Sequence, residues 1–257
     1  MKKKITVIKV GGKIVEERES LDNLLNRFAA IEGYKVLIHG GGRSATKMAE
    51  RLGIESKMVD GRRITDLETL KVVTMVYGGL VNKSIVASLQ ARGINALGLT
   101  GADCNIIKAH KRPTGNVDWG YVGDVDSADG TMLSKLIEQG ITPIISPLTH
   151  DGKGNMLNTN ADTIAAETAK ALSSIYNVTL TYCFEHTGVM RNPDDANSVI
   201  PQIDSNSYKK LLADGTISGG MIPKIENAFN ALNGGVTKVI ITRADAIDGT
   251  SGTHIVV

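Results

Sequence analysis

Two apolar patterns alternate along the chain. Short runs rich in β-branched and other apolar residues, at 4–10, 35–39, 94–99, 141–146, 175–182 and 236–241, read as strands covered on both faces. Longer segments with helical spacing separate them, at 20–32, 43–52, 66–91, 127–139, 160–172, 205–213 and 220–233. Strand followed by helix, repeated in this way, predicts an α/β protein: a three-layer αβα sandwich with a mainly parallel central sheet. Residues 104–125 break the alternation. They place Pro113, Gly115, Gly120 and Gly123 among polar and β-forming residues, a composition that suits hairpins or a flap. No low-complexity linker or internal repeat divides the chain. Two lobes, 1–173 and 174–257, are expected to share one sheet and to meet where the helix ending near 172 gives way to a new strand.

Composition narrows the functional classes. The 257 residues are 42% hydrophobic and 22% charged, ordinary for a folded globular chain. Twenty-nine Lys and Arg stand against 27 Asp and Glu, a net charge of +2, and the positive residues are scattered. Nucleic acid is therefore not an expected partner. The basic start Met1-Lys2-Lys3-Lys4 is followed by only six residues before a glycine pair, too few for a targeting segment. No run approaches the roughly 20 apolar residues of a membrane span, so no membrane role is expected. Cys104 and Cys183 lack the spacing of a disulfide framework or zinc site, and a cytoplasmic location is expected.

The candidate chemistry lies where elements end. Lys9 ends an otherwise apolar strand and is followed by Gly11-Gly12, whose backbone N–H groups are suited to an anion. His39 ends the second strand and runs into Gly40-Gly41-Gly42 at the start of a helix, a second anion-facing turn. This is neither the dinucleotide fingerprint nor the P-loop. Gly61-Arg62-Arg63 precedes the long helix, and arginine suits two-point recognition of a carboxylate. Asn158-Thr159-Asn160-Ala161-Asp162 opens another helix. One residue suffices as an N-cap, so three polar side chains at alternate positions suggest ligands as well, and an aspartate there can orient a lysine. In Ser218-Gly219-Gly220-Met221-Ile222-Pro223-Lys224, Lys224 falls in the first turn of a helix, where a cation opposes the macrodipole unless an anion binds. Lys47, Lys209 and Lys210 carry no such contradiction and read as solvated.

In order and spacing, K-x-G-G, H-G-G-G, G-x-R, N-x-N-A-D and G-G-M-x-x-K resemble the amino-acid kinase family over essentially the whole chain, most nearly its members acting on N-acylated glutamate. The resemblance implies the amino-acid kinase fold, with ATP as co-substrate and Mg²⁺ carried mainly on its phosphates, not in a dedicated metal site. It implies transfer of the γ-phosphoryl group to the side-chain carboxylate of N-acetyl-L-glutamate, as in arginine biosynthesis. Lys9, Lys224 and Asp162 become the catalytic set, with Gly41, Gly42, Arg63, Asn158 and Asn160 on the substrate. Gly11, Gly12, Glu185, His186, Thr187, Gly188, Ile217, Ser218 and Lys224 fall on the nucleotide side. The N-terminal lobe then takes the N-acyl glutamate and the C-terminal lobe takes ATP. An already ionised carboxylate needs no general base, so the lack of a conspicuous histidine pair is no objection.

One departure stands out: Glu185 and His186 occupy the places of the family's usual Asp and Val, which extends the charge beside the nucleotide by a methylene. Two other readings are compatible with the residues: a kinase for a different N-acyl glutamate such as the N-succinyl form, and a non-catalytic sensor of the same fold. Arginine-inhibited members carry an additional N-terminal helix that links dimers into a ring. With about three residues before the first strand, the resemblance implies a homodimer built across 66–91, through Met75, Val76, Leu80, Val81, Ile85 and Val86, and insensitivity to arginine.

Overall fold

A computed structural model describes residues 2–59, 62–192 and 194–257. Gly61 of the G-x-R motif lies outside the described residues. The first half contains β1 (Lys4–Val10), α1 (Gly12–Glu16), α2 (Arg18–Ala30), β2 (Tyr34–His39), α3 (Gly42–Arg51), β3 (Met58–Val59), β4 (Arg62–Arg63), α4 (Leu67–Val73) and α5 (Asn82–Gln90). There follow β5 (Ala96–Leu99), β6 (Ile107–Lys111), β7 (Gly123–Ala128), α6 (Gly130–Glu138), β8 (Thr142–Ile145), β9 (Leu148–His150), β10 (Met156–Asn158) and α7 (Ala161–Ser173). The last third supplies β11 (Asn177–Phe184), β12 (Gln202–Ile203), α8 (Ser205–Ala213), α9 (Met221–Asn233), β13 (Lys238–Arg243) and β14 (Thr253–Ile255).

Eight strands form the central sheet in the order β12-β14-β13-β11-β1-β2-β8-β5, parallel throughout except for the β13–β14 pair. The sheet is continuous across the chain's two parts, because β1 pairs in register with β11 along its whole length, from Lys4 opposite Asn177 to Val10 opposite Cys183. Its two faces carry separate apolar layers. Val7, Val36, Ile38, Leu180 and Tyr182 pack against α7 and α9 on one side, while Ile8, Val10 and Leu37 meet α2, α3 and the long helix on the other. Alternate residues of one strand therefore serve opposite layers, which is why β1 and β2 carry apolar residues at consecutive positions, as in Val7-Ile8 and Val36-Leu37-Ile38.

The six strands expected from the pattern are all present, within two residues at either end. Residues 104–125 form the β6–β7 antiparallel pair, as their composition implies, and with β9 and β10 they make a separate four-stranded sheet, β10-β9-β6-β7. The β9 and β10 strands of that sheet were not legible in the pattern, since strands of three residues have no periodicity to detect. The expected helix at 66–91 is continuous in direction but not in type: Thr74–Val81, between α4 and α5, is π-helical around Gly78-Gly79. Leu67–Gln90 is, by length and composition, apolar enough to cross a membrane, contrary to the expectation that no segment was. Its apolarity serves the fold instead: Val72, Val73, Val76, Ile85 and Leu89 are buried in the core. The apolar set assigned above to a dimer surface also divides. Val76, Val81 and Ile85 are core, whereas Met75 and Leu80 are 55% and 57% exposed.

Candidate active site

The C-terminal ends of β1 and β2, adjacent parallel strands, bring Lys9 and His39 to the same edge of the sheet. The glycine turns that follow them pack backbone against backbone: a Cβ on Gly40 would come within 3.2 Å of the Gly12 nitrogen, and one on Gly12 within 3.7 Å of the nitrogens of Gly41 and Gly42. Gly41 also lies under a ring, since a Cβ there would meet Tyr77 Cδ1 at 2.8 Å. Close approach, not positive φ, explains Gly40 and Gly41, whereas a Cβ on Gly42 would meet open space. Gly12 and Gly42 begin α1 and α3, where the first amides have no intrahelical acceptor. Gly11 differs from expectation: its N–H is spent on the Cys183 carbonyl at 3.1 Å and is not available to an anion.

His39 is wholly buried and sets this turn. Its Nδ1 hydrogen-bonds the Gly40 carbonyl at 2.8 Å and its Nε2 accepts from Asn82 Nδ2 at 3.1 Å, which fixes the tautomer. Asn82 also donates to the Ile144 carbonyl at 2.9 Å, tying α5 to β8. Burial pushes the His39 imidazolium down to a pKa of about 4, more strongly than the Gly40 carbonyl raises it.

Asp162 joins the two ends of the sequence. It lies in the first turn of α7, which Asn160 caps by accepting from the Asp162 and Thr163 amides at 2.8 and 3.3 Å. Its Oδ1 stands 2.8 Å from Lys9 Nζ and its Oδ2 accepts from Lys224 Nζ at 3.0 Å, with each side chain 13% exposed or less. Burial raises the Asp162 pKa, but the two ammonium groups outweigh it and hold the carboxyl at about 2. Burial and repulsion from Lys9 lower the pKa of Lys224, partly offset by Asp162. Two buried ammonium groups on one carboxylate leave one uncompensated positive charge, the setting in which an incoming phosphoryl group is favoured.

A cavity of about 240 Å³ adjoins this cluster. Its wall includes Asn160 and Ala161, immediately before Asp162, Pro223, immediately before Lys224, and Gly40 to Gly42. Arg63 and Asn158 line it. Arg63 is almost buried, with Nη2 donating to the Gly42 carbonyl at 2.9 Å and Thr46 Oγ1 at 2.8 Å, and Nη1 to Ser56 Oγ at 2.8 Å. Asn158 Nδ2 donates to Thr65 Oγ1 at 2.9 Å, so its carbonyl oxygen remains for a ligand. Arg62 lines the cavity beside Arg63, and Tyr77, Arg112, Pro147 and Asn227 are among the lining residues not singled out in the sequence. Only the tertiary structure gathers these four; no local motif marks them.

The expected nucleotide residues are less uniform. His186 and Ser218 are exposed and Thr187 half-buried, on the same C-terminal side of the sheet. Glu185 is exposed and raises the Lys224 pKa, though less than Asp162 does, and it also lines a second cavity of about 350 Å³ with Lys13, Glu17 and Arg243. Gly188 and Ile217 turn inward, against the expectation that they border adenosine. A Cβ on Gly188 would come within 2.8 Å of Thr253 Oγ1 and Val199 Cγ1, and Ile217 is 1% exposed within the core. Lys47, Lys209 and Lys210 are solvated, and Lys47 pairs with Glu16 at 3.0 Å.

Comparison with known proteins places this geometry. The chain is 68% identical over 255 residues to an acetylglutamate kinase of Bacteroides fragilis, covering 99% of this chain and 98% of that protein. It is 66% identical over 255 residues to an acetylglutamate kinase of Bacteroides thetaiotaomicron, covering 99% of each. The crystal structure of smu.665 from Streptococcus mutans UA159 superposes with a TM-score of 0.82 at 28% identity over 98% of both chains. The profile of the Amino acid kinase family matches residues 4–243, and with relatives aligned along nearly their whole length the chain belongs to that family.

Proposed function

We propose that this protein transfers the γ-phosphoryl group of ATP to the side-chain carboxylate of N-acetyl-L-glutamate, giving N-acetyl-L-glutamyl 5-phosphate and ADP, as a step of arginine biosynthesis. The observation that carries this reading is the Lys9–Asp162–Lys224 cluster, whose chain neighbours Ala161, Thr163 and Pro223 line the same cavity as Arg63 and Asn158. Phosphoryl transfer between two anions asks a protein for alignment and charge neutralisation more than for covalent chemistry. Arg63 and Asn158 hold the α-carboxylate, which leaves the side-chain carboxylate directed at the two ammonium groups. Lys9 and Lys224 stabilise the charge that spreads over the transferring group, while Asp162 holds both ammonium groups in place. The amides of Gly12, Gly41 and Gly42 complete the cradle.

ATP binds on the C-terminal lobe, 174–257, with its phosphates running from Ser218 and Lys224 towards Gly12; Glu185, His186 and Thr187 border the nucleoside. Residues 1–173 hold the N-acyl glutamate. Both oxygens of Asp162 are engaged by lysines, so it does not suit a metal. Mg²⁺ therefore rides on the nucleotide phosphates and supplies charge neutralisation there. The free thiols of Cys104 and Cys183 fit a cytoplasmic enzyme. Met75 and Leu80, exposed on the long helix, with Leu97 on the edge strand β5, fit a homodimer surface. ADP release coupled to hydroxylamine trapping of the acyl phosphate tests the reaction. N-acetyl-L-glutamate is expected to give both signals and L-glutamate neither, and ADP release without a trapped acyl phosphate would overturn it.

A further inference from the structure

Among the described residues, the lining of the substrate cavity contains three arginines, Arg62, Arg63 and Arg112, and no acidic residue. On the reading above, N-acetyl-L-glutamate brings one carboxylate to Arg63 and another to the lysines, and Arg112 has nothing to bind. Arg112 is nonetheless built as a receptor. Its Nε donates to both oxygens of Asp124 at 3.1 Å and its Nη2 to Oδ1 at 2.6 Å, so Asp124 grips one edge of the guanidinium. Its guanidinium carbon stands 5.4 Å from the centre of the Trp119 ring. Nη1 makes no hydrogen bond to the described residues, and the edge formed by Nη1 and Nη2 remains open. Such a guanidinium is pre-oriented for a second, two-point carboxylate contact.

Its place in the fold says which part of the substrate it meets. The Arg112 amide donates to the Val122 carbonyl at 2.8 Å, and Val122 bridges to Asn158. Both line the cavity from the β6–β7 side of the small sheet, which contributes nothing to the lysine–aspartate cluster. With the side-chain carboxylate at the lysines and the α-carboxylate at Arg63 and Asn158, the N-acyl arm is the part left to face this wall. We propose that Arg112 is a specificity-determining residue that binds a terminal carboxylate on the acyl arm, so that N-acyl glutamates derived from a short dicarboxylic acid, such as N-succinyl-L-glutamate, are the preferred acceptors. This rests on the N-acyl glutamate kinase reading and refines its substrate class.

The test compares N-succinyl-L-glutamate, N-acetyl-L-glutamate and N-succinamoyl-L-glutamate, the last matching the succinyl compound in size without its terminal charge. The wild-type kcat/KM for the succinyl compound is expected to exceed that for each of the others at least about tenfold, the usual scale of one charge-assisted two-point contact. Arg112→Gln is expected to erase the preference, and Arg112→Lys to keep part of it. Equal rates with the succinyl and succinamoyl compounds, or an unchanged ratio in Arg112→Gln, would overturn the proposal. Calorimetric binding of the same three compounds separates it from the reading beneath it. Absence of ADP release from all three would defeat the kinase reading, while the charge preference would still stand or fall on the ratio of dissociation constants.

Discussion

Asp162 carries out at the scale of one residue what the two ends of the chain cannot do separately. Lys9 and Lys224 are 215 positions apart, and each alone would be a buried cation without a partner. Replacing either by alanine removes a fixed charge from the transferring group, and kcat is expected to fall at least about 100-fold with the fold retained. Steady-state ADP release alongside circular dichroism checks this, and a wild-type kcat in both variants would defeat the mechanism. Asp162→Asn should be worse for stability than either, because it leaves two buried ammonium groups facing a neutral amide. A loss of about 3–5 kcal/mol is expected in urea unfolding. At this scale the sequence was informative: a lysine at the tip of an apolar strand and another in the first turn of a helix each break a local rule, and both breaks are answered by one carboxylate.

Among elements, the turn from β2 into α3 joins the site to the core. Gly41→Ala would put a methyl group 2.8 Å from the buried Tyr77 ring, so either the ring or the loop must shift. A loss of about 1–3 kcal/mol and a raised KM for the N-acyl glutamate are expected, and Tyr77→Leu in the same chain should recover part of the stability. His39 gives the same turn a pH dependence. Its pKa is about 4 folded against 6.5 unfolded, so between those values the unfolded chain takes up a proton that the folded chain refuses. Stability is therefore fully present above pH 6.5 and falls as the pH drops towards 4, by about 3 kcal/mol. Asp162 acts in a lower window, its contribution being present above pH 3.8 and lost as the pH falls through about 2. Urea midpoints from pH 7.5 to 4 should show the first decline, and His39→Gln should flatten it; a parallel slope in that variant would show the proton goes elsewhere. The H-G-G-G pattern pointed to an anion-binding turn, but its histidine was legible only as a strand end. Its side-chain partner Asn82 comes from an element 43 residues away, and Asn82 is itself held by the Ile144 carbonyl of β8.

For the whole molecule, the exposed apolar residues bear on the proposed homodimer. Met75 and Leu80 are exposed on the long helix, and Leu97 is 38% exposed on β5, the edge strand of the central sheet. Burying them against a second copy would account for their exposure. Light scattering is expected to report a dimer, and Leu80→Glu to shift it to monomer with kcat retained; a monomer in the wild type would remove this reading.

The sequence by itself determined the α/β class, the six principal strands and seven helices, and the residues whose chemistry conflicts with their position. These follow from short-range periodicity, caps and glycine turns, which neighbours in the chain decide. Strands of two or three residues carry no period, so β9, β10, β12 and β14 emerge only from pairing partners supplied by the fold. The tertiary structure likewise decided that Gly11 spends its amide on Cys183, that Gly188 and Ile217 face the core, and that Arg112 lines the same cavity as Arg63 and Asn158, with one edge of its guanidinium unpaired among the described residues. Each of those depends on what a distant segment places alongside.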